Sequence, residues 1–164
     1  MNADVFIGLG GNLGDSQNIF EQAIERIREI APITAVSSLY RSKPFGYGNQ
    51  ANFLNAVVRL STDLPPLPLL TKMQAIEIDL GKTIVCENGP RSIDLDLLFH
   101  GDAVMKNDQV EIPHPGIPER DFVLLPLAEI DPDLYHPILN RSVAELSQSV
   151  SVSYVMDSRK NWLT

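Results

Sequence analysis

The sequence has one cysteine, Cys86, in 164 residues, so no disulfide can form within the chain, and the composition points to a reducing, intracellular setting. Cys86 has neither a histidine beside it nor a C-x-x-C partner, and it reads as a plain loop thiol. Basic clusters are also missing. Thirteen Lys and Arg stand against 21 Asp and Glu, a formal charge of -8, which excludes a broad nucleic-acid surface because neutralising phosphates takes clustered cations. No apolar run approaches the roughly 20 residues needed to cross a bilayer. The opening M-N-A-D-V-F-I-G lacks the basic region of a signal peptide. The expectation is a cytoplasmic protein without membrane or nucleic-acid partners, folded as a single domain over residues 1–164 and monomeric.

A nucleotide-loop signature fails as well. Val5 to Gly10 is a short apolar run, and Phe20, Ala23, Ile24, Ile27 and Ala31 recur at helical spacing after it. Between them lies G-L-G-G-N-L-G-D, but no Lys follows Gly14 as a P-loop requires, and Leu13 stands where a dinucleotide fingerprint needs its third Gly. The reading is a tight glycine turn with Asp15 or Ser16 capping the helix.

What is present is a set of alternating patterns. Ile33 to Tyr40 predicts a strand, and R-S-K-P-F-G-Y-G-N-Q from Arg41 to Gln50 predicts a surface loop. Phe53 to Leu60 predicts a second strand with Leu54, Ala56, Val58 and Leu60 on its core face, which puts Phe53, Asn55 and Val57 together on the other. An aromatic beside an amide on an open face suits a flat heterocycle, and equally an aromatic plugged under a loop. Pro65 and Pro66 open a helix whose buried stripe is Leu69, Leu70, Met73, Ile76 and Leu80, ended by Gly81. Gln74 and Glu77 flank that stripe three residues apart and are expected to face one cavity, or else solvent.

The stretch G-P-R-S-I-D-L-D-L-L-F, Gly89 to Phe99, carries two carboxylates in an apolar run. As a strand it points Asp94 and Asp96 one way, roughly 6.6 Å apart along the backbone, and Ile93, Leu95 and Leu97 the other way. Such a pair can hold hard cations against substrate phosphates, with Arg91 upstream as an anion clamp. It is also what a strand with one solvated face looks like. Further on, V-E-I-P-H-P-G-I-P-E-R-D-F has three prolines, which exclude a long helix or central strand, and presents His114, Arg120 and Phe122 within nine residues of loop. Phe122 to Ile130 and Val143 to Leu146 read as short helices before a weakly patterned tail. The order is that of an α+β, ferredoxin-like β-α-β-β-α-β sheet with helices on one face and extra C-terminal irregular and helical segments.

G-G-N-L-G-D, Y-R-S-K-P-F-G followed by N-F-L-N-A-V, N-G-P-R-S-I-D-L-D-L-L-F, and I-P-H-P-G-I-P-E-R-D-F-V-L-L-P-L-A-E-I together resemble the 6-hydroxymethyl-7,8-dihydropterin pyrophosphokinases of folate biosynthesis, from Val5 to Val143. The resemblance implies transfer of the β,γ-diphosphate of ATP, as co-substrate, to the hydroxymethyl oxygen of the reduced pterin. It implies two Mg2+ ions on Asp94 and Asp96. It also implies a pterin sandwiched by Phe53 and Phe122, held at its edge by Asn55, with the loop Ser42, Phe45, Gly46 closing beside it. Gln74, Glu77, Arg91, His114 and Arg120 match positions lining the nucleotide and phosphate site, and Lys82, Arg91 and His114 are its catalytic candidates. Some positions depart from the family pattern. Asn88 stands where many members have Trp, and Lys82 is the one cation in a loop of Thr83, Ile84, Val85 and Cys86 where bacterial forms carry arginines. Gly116 replaces an Arg, and Gly11 a Ser. Two alternatives stay open: a pterin or nucleotide binding homologue that has lost turnover, and a γ-phosphate kinase yielding ADP.

Overall fold

The structure, a computed structural model, describes residues 2–46, 48–82 and 89–163. The expectations for Cys86, Asn88 and the rest of the loop 83–88 lie outside the described residues. β1 (Ala3–Gly11) leads into α1 (Ser16–Arg28), then come β2 (Ile33–Val36), β3 (Leu39–Ser42), β4 (Phe53–Thr62), α2 (Pro66–Asp79) and β5 (Asp94–His100). Two short hairpins follow, β6 (Met105–Lys106) with β7 (Glu111–Ile112) and β8 (Tyr135–His136) with β9 (Arg141–Ser142). Between and after them lie α3 (Asp121–Ile130), α4 (Val143–Gln148) and β10 (Val155–Arg159). The main sheet is antiparallel in the order β10-β3-β4-β1-β5, with β2 also pairing with β4.

Strand alternation sorts the side chains into two cores. Val5, Ile7, Leu9, Ala56, Val58, Leu60, Leu95 and Leu97 turn toward Phe20, Ile24 and Ile27 of α1 and Leu69, Met73 and Ile76 of α2. Phe6, Val57, Leu98 and Phe99 turn the opposite way, onto Leu124 and Leu127 of α3 and Val143 and Leu146 of α4. Helices on one face alone were therefore too simple an expectation: α3 and α4 make a third layer. Pro126 inside α3 and the six-residue length of α4 weaken their helical periodicity in the sequence.

Local chemistry sets the ends of the elements. Asp15 caps α1 by accepting the Asn18 amide at 3.3 Å, and Pro66 begins α2 where its missing N–H costs nothing. Ser142 and Glu145 form a reciprocal capping box on α4. The strand expected over Ile33 to Tyr40 is broken at Ser37 and Ser38. There the Ser37 hydroxyl accepts the Val57 amide at 2.9 Å, and Glu129 of α3 accepts from the Ser38 amide, the Ser38 hydroxyl and the Tyr40 hydroxyl. The weakly patterned tail also has structure: β10 extends the sheet beyond β3, and the buried Trp162 packs edge-on against Phe20 while donating to the Ser37 carbonyl at 2.9 Å. Among the described residues no helix is long and apolar enough to cross a membrane.

Candidate active site

The glycines taken for a turn lie mostly in β1. Only Gly14, at φ +73°, belongs to the turn before α1. In the sheet register Gly10 stands between Asn55 of β4 and Asp94 of β5, and Gly8 between Val57 and Asp96. Two rows therefore cross the sheet as Asn55-Gly10-Asp94 and Val57-Gly8-Asp96, all on the face away from α1 and α2. With strands about 4.8 Å apart, the bare central strand leaves a trough roughly 10 Å wide between the amide and the carboxylates. The cleft over this floor is walled by Phe53, Phe45, Phe122, Arg91, Arg120 and Lys43. Gly11 closes the end of β1 tightly: a Cβ there would lie 2.5 Å from the Ser92 carbonyl oxygen. That approach lets the Arg91 carbonyl accept from the Asn12 and Leu13 amides, which fixes Arg91 at the mouth of the cleft.

Asn55 is buried and donates to the buried Ser42 hydroxyl at 2.8 Å, which leaves its carbonyl oxygen turned to the Gly10 position. Asp94 is gripped by two cations, Arg91 at 2.7 Å and Lys82 at 2.9 Å. Lys82 also pairs with Glu77 at 3.0 Å. Burial works against the Lys82 charge, but the hydrogen bonds and charges of Asp94 and Glu77 outweigh it and hold the amine above its ordinary value. Asp96 has the opposite experience. Burial first, and then the Asp94 charge beside it, push its carboxyl up to about 6, against the pull of Arg120, Lys82 and Arg91.

On the other wall Arg120 lies over the Phe45 ring at 4.8 Å and beside Phe122 at 6.0 Å. Its buried Nε has no partner among the described residues. Gly116 makes room for this guanidinium, since a Cβ there would come within 2.7 Å of it. The His114 Nδ1 accepts the Gly116 amide at 3.0 Å, so the ring proton sits on Nε2. Burial and then Arg120 lower the His114 pKa to about 4, against Glu111 and Asp94.

The chain matches the family described as 7,8-dihydro-6-hydroxymethylpterin-pyrophosphokinase over residues 6–132. It belongs to that family. The 2-amino-4-hydroxy-6-hydroxymethyldihydropteridine pyrophosphokinase of Aquifex aeolicus is 40% identical over 143 residues, which cover 87% of this chain and 89% of that protein. The Bacillus subtilis protein of the same name is 43% identical over 132 residues, 79% of each chain. The folic acid synthesis protein of Dictyostelium discoideum is 42% identical over 140 residues, 85% of this chain but 21% of that longer protein. Among solved structures, the wild-type HPPK-DHPS of Plasmodium falciparum superposes with a TM-score of 0.73 at 18% identity over 91% of this chain and 45% of that one. That likeness speaks for the fold.

Against this family background, the fold brings Ser42, Phe45, Phe53, Asn55, Arg91, Asp94, Asp96, Arg120 and Phe122 to one cleft. Gly46, at φ +82°, is exposed just beyond Phe45, and His114 is half-buried behind Arg120. Gln74 and Glu77, three residues apart on α2, differ in burial among the described residues. Gln74 is exposed on α2, whereas Glu77 is buried and accepts the Leu95 amide at 2.7 Å, the peptide between the two aspartates. Burial, the largest influence, pushes the Glu77 carboxyl up, against that amide and Lys82. The sequence reading missed Lys43 and the floor glycines. Gly8 and Gly10 repeat at the strand period of two, the signal that exposed Asp94 and Asp96, and could have been found by it.

Proposed function

We propose that this protein is a working pyrophosphokinase: it transfers the β,γ-diphosphate of ATP to the hydroxymethyl oxygen of 6-hydroxymethyl-7,8-dihydropterin, a step of folate biosynthesis. The oxygen forms a bond to the β-phosphorus, the bond from that phosphorus to the α,β-bridging oxygen breaks, AMP leaves, and the hydroxyl proton passes to solvent. The observation that carries the reading is the pair of rows across the sheet, with an amide and an aromatic on one bank of a glycine floor and two carboxylates on the other. A flat heterocycle lies on the floor against Phe53, with Phe122 on its other side and the Asn55 amide at its edge. Its reacting arm then points to the carboxylate bank.

Asp94 and Asp96 fit Mg2+. They offer hard oxygen donors on one face, and the Asp96 carboxyl, strained by burial and by Asp94, gains from a cation beside it. Among the described residues no third His, Cys, Asp or Glu joins them, so Asp94 and Asp96 would hold Mg2+, two ions in this reading, together with phosphate oxygens of the co-substrate and water. Mg2+, when bound, neutralises triphosphate charge. The protein's own contribution is placement: Arg91 and Lys82 stand at Asp94 ready to turn to phosphate oxygens, and Arg120 adds a third cationic side chain to the cleft lining. A general base is not required of any side chain.

The main sheet, taken as β1, β2 with β3, β4 and β5, runs in the order second, third, first, fourth, which supports the finer description as ferredoxin-like. A monomeric cytoplasmic enzyme completes the proposal. The decisive assay is incubation with ATP, Mg2+ and the reduced pterin. One AMP per pterin consumed supports the reading. ADP instead would indicate a γ-phosphate kinase, and binding heat without AMP a homologue lacking turnover.

A further inference from the structure

The family match ends at residue 132, yet the wall of the cleft leans on residues well beyond it. Tyr154 lies just before β10. Its ring meets Phe122 edge-on, with centroids 5.9 Å apart and planes at 89°, and meets Phe45 at 5.4 Å. Phe45 and Phe122 touch each other at 6.2 Å, so the three rings form a closed triangle with the Arg120 guanidinium over one member. The backbone is tied into both loops as well. The Tyr154 carbonyl accepts the Lys43 amide at 2.9 Å. The Tyr154 and Val155 amides both donate to the Asp121 carboxylate, at 3.0 Å each, and the Ser153 hydroxyl reaches it at 3.4 Å. Asp121 is buried and immediately precedes Phe122, so this clamp fixes the residue next to the ring.

We propose that Tyr154 is a positioning residue for the pterin: its ring sets the angle of Phe122 and the seat of Phe45, and so builds the flat slot from the C-terminal strand. Each part of this coupling is needed. Phe122 sits in the first turn of α3 and Phe45 in the loop after β3, and no strand joins those two segments. Tyr154 touches both, through its ring on one side of its own peptide and through hydrogen bonds on the other. Aromatic pairs prefer such edge-on arrangements, and a ring held by two neighbours loses the freedom that would otherwise be lost on binding. Tyr154 does not line the cleft, and its effect on the substrate passes entirely through the two phenylalanines.

The inference rests on the pterin reading above, so the test begins with the wild-type protein. Affinity for 6-hydroxymethyl-7,8-dihydropterin is measured calorimetrically in saturating Mg2+ and a non-hydrolysable ATP analogue, and affinity for the analogue is measured separately. Loss of two ring contacts in Tyr154→Ala is expected to weaken the pterin about tenfold. The analogue should stay within about twofold, and Tyr154→Phe should restore the pterin affinity, since the ring and not the hydroxyl makes the contacts. Tyr154→Leu fills the space without an aromatic edge and is expected to show the same selective loss, which keeps the test valid should the alanine variant not fold. Equal weakening of both ligands, or pterin affinity unchanged in the folded variants, would overturn the role. A wild type that binds the analogue but no pterin would refute the function itself and leave the ring geometry untouched.

Discussion

Replacing Asp96 with Asn should stabilise the metal-free protein while abolishing its activity. The carboxyl, pushed up to about 6 from an ordinary 3.8 by burial and by Asp94, is ionised at neutral pH against the preference of its surroundings. At 1.36 kcal/mol per tenfold that gap corresponds to about 3 kcal/mol, and solvent reaching the partly enclosed side chain lowers it to about 2. The sign follows from proton binding. An acid with a raised folded value binds more protons folded than unfolded, so its contribution is fully present below about 3.8 and is lost as pH rises through about 6. An amide does not titrate. The difference between Asp96→Asn and wild type should be near zero at about pH 4 and grow to about 2 kcal/mol by pH 7, a rise of roughly 4–8 °C in midpoint for a chain of this size. Urea denaturation at both pH values, in a chelator, reads it directly. Saturating Mg2+ should then narrow the gap by stabilising the wild type alone. A variant no more stable than wild type at pH 7, or a difference that does not change with pH, would refute the picture of a strained carboxylate. AMP formation by the variant would refute the metal assignment.

The His114 ring should titrate with an NMR midpoint near 4 rather than 6.5, and because its folded value is depressed, the stability it contributes is present above 6.5 and lost as pH falls through about 4; a midpoint near 6.5 would mean the ring is not enclosed by Arg120 and the Gly116 turn. Glu77→Ala leaves the buried Leu95 amide without its acceptor and removes one of the two carboxylates that hold Lys82, Asp94 remaining, and should cost about 2 kcal/mol in chemical denaturation. Glu77→Gln, which keeps an acceptor for Leu95, should cost roughly half of that; loss of ATP affinity with unchanged stability would show Glu77 to be a nucleotide contact instead. Gly11→Ala drives a Cβ to within 2.5 Å of the Ser92 carbonyl and should lower the urea midpoint by the equivalent of about 2 kcal/mol; full wild-type stability would mean that the end of β1 yields easily.

The parts of the site that the sequence disclosed are those written in strand alternation. Phe53 with Asn55 and Asp94 with Asp96 each share a face because two residues complete the strand period, and that geometry needs no knowledge of the neighbours. The glycines were legible as residues but not as structure, since a glycine has no face to show and suits a turn as readily as a strand; only the pairing of β1 between β4 and β5 reveals Gly8 and Gly10 as a floor. Gln74 and Glu77 looked alike because helical spacing says which way a side chain points and not which strand lies beneath it, and the Leu95 amide under Glu77 comes from β5. The tail was opaque for another reason. β10 pairs with β3 on one side only and is mostly exposed, so it has no buried face to pattern, and the roles of Tyr154 and Trp162 depend wholly on long-range contacts.

The glycine floor has a thermodynamic consequence. Each glycine in a strand interior weakens folding by roughly 0.5–1 kcal/mol relative to alanine, because the unfolded chain has more conformations to lose there. Gly8, Gly10 and Gly11 place that disadvantage in an interior strand, paired on both edges with β4 and β5, whose Val5, Ile7 and Leu9 on one face and Phe6 on the other are buried in the two cores and offset it. In return the surface beneath the ligand is backbone that is already ordered, with no rotamers left to freeze when a molecule lands on it. The entropy of shaping the slot is thereby assigned to folding, and association is left to gain the full value of the contacts it makes.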